Sequence, residues 1–141
     1  MDGKEEKKMK GYDMDGVLCS FVIEDLQNCK SIEEEMIYYK NQTPIYKQLL
    51  TSKVIVVSGR RVGMEEMSKK WLEENYDGVE FEVICVGYDS ESEVRKVKVM
   101  REKGIVEFVD DNEKWVRYFR SEGIVCELYK EVKVKEGVRK D

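Results

Sequence analysis

The chemistry this chain could perform is concentrated in a few short runs. Asp13-Met14-Asp15-Gly16 sets two carboxylates two positions apart, ahead of a glycine. At the end of a strand, alternate side chains share a face, so both acids point the same way. Left alone they repel, and either one holds a proton or a cation lies between them. Oxygen donors without histidine suit a hard ion such as Mg²⁺. Gly16 lets the chain turn sharply. The competing readings are an acidic turn with no function and a calcium loop. The calcium loop fails because Leu18 stands where its glycine is required.

Asp110-Asp111 is a second acidic pair, again closing an apolar run. Either residue could simply cap the following helix. Two acidic pairs at the ends of parallel strands would nevertheless gather several carboxylates in one crevice, which a divalent cation would stabilise. Ser58-Gly59-Arg60 follows the most apolar strand candidate. A hydroxyl, a flexible backbone amide and a guanidinium beside a helix start suit a phosphate. A serine cap followed by a surface arginine is the plainer alternative. Lys96 and Lys98 lie early in a helical stretch, and a lysine there could neutralise the acids and hold a phosphate. Lys96, one turn before Met100, is the better placed of the two.

Composition narrows the chemistry further. The chain has no histidine, which removes Ser-His-Asp and Cys-His nucleophilic systems and His-based zinc peptidases. Acid–base work must then come from Asp, Glu, Lys, Tyr, Cys or a metal. Charged residues reach 39%, yet the net charge is only −5, which reads as a salt-rich surface rather than disorder. The cysteines at 19, 29, 85 and 126 have no CxxC spacing, so they read as free thiols of a reduced, cytoplasmic protein. No apolar run approaches the roughly 18 residues of a membrane span, and no signal-peptide pattern opens the chain.

The elements that must position these groups alternate between two periodicities. Val54–Val57, Phe81–Val86, Ile105–Val109 and Ile124–Leu128 read as strands, and a weaker one is expected over about Lys8–Tyr12. Between them, helices are expected around Met64–Leu72, Ser92–Lys103 and Trp115–Phe119, the last two stopped by Gly104 and Gly123. Pro44 is expected in the first turn of a helix carrying Ile45, Leu49 and Leu50. Residues 21–43 read as a helical excursion over the site, and 129–141 as a charged tail. Alternating strands and helices imply βαβ units. The expected fold is an α/β Rossmann-like three-layer sandwich, with a mostly parallel five-stranded sheet in one domain over 1–141. Ligands of such sheets bind beyond the carboxyl ends of the strands, where all three polar runs would converge.

In their order, DxDGV at 13–17, SGR at 58–60, Lys96 and the pair at 110–111 resemble the haloacid dehalogenase superfamily of phosphatases and phosphotransferases. The resemblance spans about residues 9 to 128. Within the superfamily the chain is most similar to the 3′-phosphatase domain of phage polynucleotide kinase. The shared features are VVSGR at 56–60 and Asp110-Asp111 followed by Trp115, Arg117 and Gly123-Ile124-Val125-Cys126.

The resemblance implies an Mg²⁺-dependent phosphomonoesterase with an aspartyl-phosphate intermediate. Asp13 would be the nucleophile and Asp15 the general acid and base. Asp13, the Asp15 carbonyl and Asp110 or Asp111 would hold the metal. Lys96 and Ser58 would act on the phosphate oxygens, with Gly59 and Arg60 binding substrate. The segment at 21–43 leaves room for at most a minimal cap, so the site would be open. That favours a nucleotide or a polynucleotide end, helped by a basic patch of Arg60, Arg61, Lys69 and Lys70. The rival readings are a small-metabolite or nucleotide monophosphatase using the same site, and a non-catalytic scaffold of the same fold. No membrane partner is expected.

Overall fold

The computed structural model describes residues 9–130. Its strands are β1 (Met9–Tyr12), β2 (Lys53–Ser58), β3 (Glu80–Cys85), β4 (Ile105–Asp110) and β5 (Val125–Leu128). They form one sheet in the order β3-β2-β1-β4-β5, with every pairing parallel. The helices are α1 (Ile23–Gln27), α2 (Ile32–Lys40), α3 (Glu65–Asn75), α4 (Ser92–Lys103) and α5 (Glu113–Ser121). This is the Rossmann-like α/β sandwich expected.

The β-branched run of β2 explains the three layers. Val54 and Val56 pack into a cluster with Trp71 and Leu72 of α3. Ile55 and Val57 face the opposite way, against Val97 and Met100 of α4 and Val116 and Phe119 of α5. A strand covered on both faces has no polar side, which is why it reads as a continuous apolar run. At the end of α4, Gly104 caps the helix in a left-handed conformation (φ 72°), as a helix-terminating glycine does.

β1 lies at the centre of the sheet although it is the most polar strand. Its pairing with β4 is irregular between Met9 and Lys10. Gly11 resolves the difficulty by having no side chain. A Cβ there would stand 3.0 Å from both Ile105 Cδ1 and Phe108 Cδ1, so neighbouring apolar groups already fill that face of the strand.

The segment expected as a helix after Pro44 is not helical. Cys19 forms an antiparallel bridge with Pro44, Ser20 N–H donates to the Thr43 carbonyl and Ile45 N–H to the Leu18 carbonyl. Ile45 is buried while Leu49 is 96% exposed. The two do not share a buried face, and without one the spacing does not sustain a helix. The excursion at 21–43 does contain helices, α1 and α2. Ser31 caps α2 by accepting from Glu34 N–H, while Glu34 accepts from Lys30 N–H. Of the charged tail, only Tyr129 and Lys130 fall among the described residues; the alternation at Val132 and Val134 lies outside them. No described helix is long and apolar enough to cross a membrane.

Candidate active site

The chain runs from β1 outward through β2 to β3, then returns to the other side of β1 as β4. Such a reversal opens a crevice at the carboxyl ends of the central strands. Asp13 follows β1, Ser58 ends β2 and Asp110 ends β4. Asp13 N–H donates to the Val109 carbonyl at 2.9 Å, tying the first acidic run directly to the second.

Lys96 projects from the first turns of α4 into this crevice. It is fully buried, and its Nζ donates to Asp13 Oδ1 at 2.9 Å and to Asp110 Oδ2 at 3.4 Å. Trp115 covers it, with the ring centroid 4.7 Å from Nζ. Burial alone would lower the lysine pKa, but the two carboxylates override it and raise the value. Lys98, the alternative, is exposed.

Asp13, Asp110 and Asp111 each offer an oxygen, all within 4.8 Å of one another. Burial pushes the Asp13 pKa well above the ordinary range, with repulsion from Asp110 and Asp111 adding to it and Lys96 opposing. Asp111 is exposed as a residue, yet desolvation of its carboxyl and the neighbouring Asp110 raise its pKa to about 6. One ammonium therefore serves three carboxylates and leaves them under-neutralised. The donor set, hard oxygens with a deficit of positive charge, could hold a divalent ion such as Mg²⁺.

Asp15 belongs to a different arrangement. Its carboxylate accepts from Arg60 Nε at 3.0 Å and from Arg60 Nη2 at 2.8 Å, the two-pronged geometry peculiar to arginine. Arg60 also donates to Ser68 Oγ at 2.8 Å and to Gln42 Oε1 at 2.7 Å, and its guanidinium lies 4.0 Å from the centroid of the Tyr39 ring. Gln42 donates in turn to Asp15 Oδ1 at 2.9 Å. Burial would raise the Asp15 pKa, but the charge and hydrogen bonds of Arg60, with Gln42 and Cys19, hold it below the usual carboxylate value.

Arg60 therefore stands differently from the expectation. It is buried, and its donors are spent on protein acceptors rather than offered to a substrate phosphate. The basic patch loses it too: Arg61 is exposed but pairs with Glu35 at 2.9 Å, and Lys69 and Lys70 are exposed on α3. Ser58 is fully buried, and its Oγ accepts from Arg60 N–H at 3.0 Å. It shapes the turn that carries Gly59.

Asp13, Asp15, Arg60 and Asp111 line a cleft of about 750 Å³. Its floor includes Asp13, Asp15 and Asp111. One wall comes from the excursion (Phe21, Ile23, Leu26, Tyr39) and the other from Tyr88 and Trp115. Gln42, Ser68 and Tyr88 carry no signal in the sequence, and Tyr39 shows only as one apolar residue of the 21–43 excursion. Each is an ordinary polar or aromatic residue in its local context, and no spacing marks it. All four cysteines are free thiols. No family model matches the chain, and no curated protein matches it.

Proposed function

We propose that the protein is an Mg²⁺-dependent phosphomonoester hydrolase of the haloacid dehalogenase type, acting on the phosphate of a nucleotide or a polynucleotide end. The observation that carries the reading is the contact of Asp13 Oδ1 with Lys96 Nζ at 2.9 Å, on the floor of an open cleft and within reach of Asp110 and Asp111. A carboxylate beside a buried ammonium is a nucleophile whose partner can also neutralise phosphate oxygens.

In the first half-reaction an Asp13 oxygen bonds to phosphorus as the ester oxygen leaves, giving an aspartyl-phosphate. In the second, water displaces Asp13 and phosphate is released. Lys96 neutralises charge on the phosphoryl oxygens in both steps. Ser58, buried with its Oγ accepting from Arg60 N–H, fixes the turn that carries Gly59 into the lining of the cleft. The ion would be held by Asp13, Asp110 or Asp111 and the Asp15 carbonyl. When bound, it supplies Lewis-acid charge neutralisation at the phosphate.

The pairing with Arg60 supports an acid–base part for Asp15. Ionised on Arg60, it stands ready to take the proton of the attacking water. To protonate the leaving oxygen it must first acquire a proton and loosen from Arg60. No step requires histidine.

Release of phosphate from 3′-phosphorylated DNA, mononucleotides and an aryl phosphate, with Mg²⁺, tests the reading. Asp13→Asn should cost on the order of 10³-fold or more in kcat. Lys96→Met should cost about 10²-fold or more, with Lys98→Ala within about twofold of the parent. A folded wild-type protein that hydrolyses none of these substrates would overturn the reading in favour of a binding scaffold.

A further inference from the structure

The acid cluster and the Asp15–Arg60 pair account for the polar floor of the cleft, but not for Tyr88. This residue is 72% exposed, in the turn between β3 and α4, at the mouth of the cleft. The turn is held firmly on both flanks. Val86 N–H donates to the Ser58 carbonyl and Gly87 N–H to the Arg60 carbonyl. Ser92 Oγ donates to the Gly87 carbonyl at 2.7 Å and accepts from Asp89 N–H at 2.8 Å. Arg95 Nε donates to the Val86 carbonyl at 2.8 Å, and Arg95 Nη2 to Asp89 at 2.9 Å. A backbone fixed this closely presents a large ring to water, which gives up the burial such a ring would otherwise gain.

The ring is also linked to the reacting groups through Trp115. Its centroid is 6.2 Å from that of Trp115, at an interplanar angle of 42°, and Trp115 in turn covers Lys96. A Cβ on Gly59 would lie 3.7 Å from Tyr88 and 3.8 Å from Trp115, so the pair sits directly on the Ser58-Gly59-Arg60 turn. An aromatic surface thus runs from the buried lysine to the mouth. The arginines beside it are engaged, Arg60 by Asp15 and Arg61 by Glu35. Ring contact, rather than free positive charge, is what this wall offers.

We propose that Tyr88, backed by Trp115, is a stacking platform for the base of a nucleotide whose phosphate lies at Asp13. The inference rests on the hydrolase reading and names its substrate class: a sugar phosphate bearing one planar base, free or at a strand end. Tyr88 lies one ring beyond Trp115 from Lys96, so a base stacked on it would be joined through its sugar to a phosphate at Asp13. An aryl ester carries its ring on the ester oxygen itself and would leave Tyr88 unused. Because every base has a stacking face, the platform selects nucleotides without choosing among bases.

The test compares kcat/KM for thymidine 3′-monophosphate, a 3′-phosphorylated oligonucleotide and glycerol phosphate in wild type, Tyr88→Ala and Tyr88→Phe. In Tyr88→Ala the preference for the two nucleotide substrates over glycerol phosphate should fall about tenfold or more, mainly through KM, about 1.4 kcal/mol. Tyr88→Phe should retain the preference. An unchanged ratio in Tyr88→Ala, or an equal loss in Tyr88→Phe, overturns the platform. The arms also divide the sources, since a preference confined to the oligonucleotide assigns the site to strand ends. A second readout needs no turnover: thymidine 3′-monophosphate should quench the tryptophan fluorescence of Asp13→Asn, and Tyr88→Ala in that background should abolish the quenching. Hydrolysis without quenching sinks the platform and leaves the hydrolase; quenching without hydrolysis does the reverse.

Discussion

The carboxylate of Asp111 occupies the space where a side chain on Gly16 would go: a Cβ there would stand 2.0 Å from Asp111 Oδ2. Gly16 also has φ 87°, a conformation that costs little only for glycine. The glycine of the first acidic run thus makes room for an acid of the second. Gly16→Ala should push Asp111 away from Asp13 and Asp110. The expected result is a loss of Mg²⁺ affinity of about 10- to 100-fold, read by calorimetric titration, with circular dichroism confirming the fold. A folded variant that binds Mg²⁺ like the parent would remove Asp111 from the cluster.

Arg60 and Asp15 make a buried ion pair whose remaining donors and acceptors are met by Ser68 and Gln42. Truncating one partner strands the other's charge. Arg60→Ala is therefore expected to destabilise the protein by about 3–5 kcal/mol, measured by urea unfolding. Adding Asp15→Asn to that variant should recover part of the loss, because the stranded charge is gone. Arg60→Lys should recover less than a charge count suggests, since an ammonium cannot reproduce the two-pronged contact. A loss under about 1 kcal/mol in Arg60→Ala would show that the pair is solvated.

Thiol reactivity offers a check independent of any activity. Burial raises the pKa of Cys85 and of Cys126 to about 12, and burial beside Asp15 raises that of Cys19 further from neutrality. The thiolate is the reactive form, so these three should resist alkylation in the native state. Cys29 is only partly covered, and although slight desolvation and nearby acids raise its pKa, reagent can reach it. Mass spectrometry after alkylation at pH 8 should find one modified site, at Cys29, and all four only after unfolding. Native labelling of Cys19 would contradict the packing around Arg60.

How much of this was legible beforehand follows from what a linear pattern can encode. β2 declared itself because burial on both faces demands a run such as Val54–Val57. β1 declared itself only weakly, because its central place depends on what Gly11 lacks and on Ile105 and Phe108 filling the gap. The convergence of Asp13 with Asp110 follows from strand ends and topology, both of which leave traces in the sequence. The partner of Arg60 does not. It lies 45 positions away, and nothing local tells a guanidinium facing a ligand from one turned onto Asp15. Tyr39 and Gln42 were hidden for a related reason: the 21–43 segment has too little periodicity to show which side meets the core. Pro44 misled because the helix-start signal was present but the apolar residues behind it share no buried face.

The carboxylates around Lys96 should make stability depend on pH in an uncommon direction. A carboxyl whose folded pKa lies above its unfolded value binds more protons in the folded state between the two values, so stability falls as pH rises through that window. For Asp111 the window runs from 3.8 to about 6, and Asp13, raised well above its ordinary value by burial and by both neighbouring acids, extends it upward. Asp15, lowered by Arg60 despite its burial, acts oppositely, but its contribution is lost only below 3.8 and does not overlap. In the presence of a chelator, Tm should therefore rise as pH falls from about 7.5 to about 5.5. Saturating Mg²⁺ should raise Tm at the upper end and flatten the slope, since a bound ion replaces the missing protons. Asp111→Asn should flatten part of the slope without any ion. Thermal melts across this range with and without Mg²⁺ decide the matter, and a metal-free Tm that falls steadily on acidification would show that Lys96 alone neutralises the cluster.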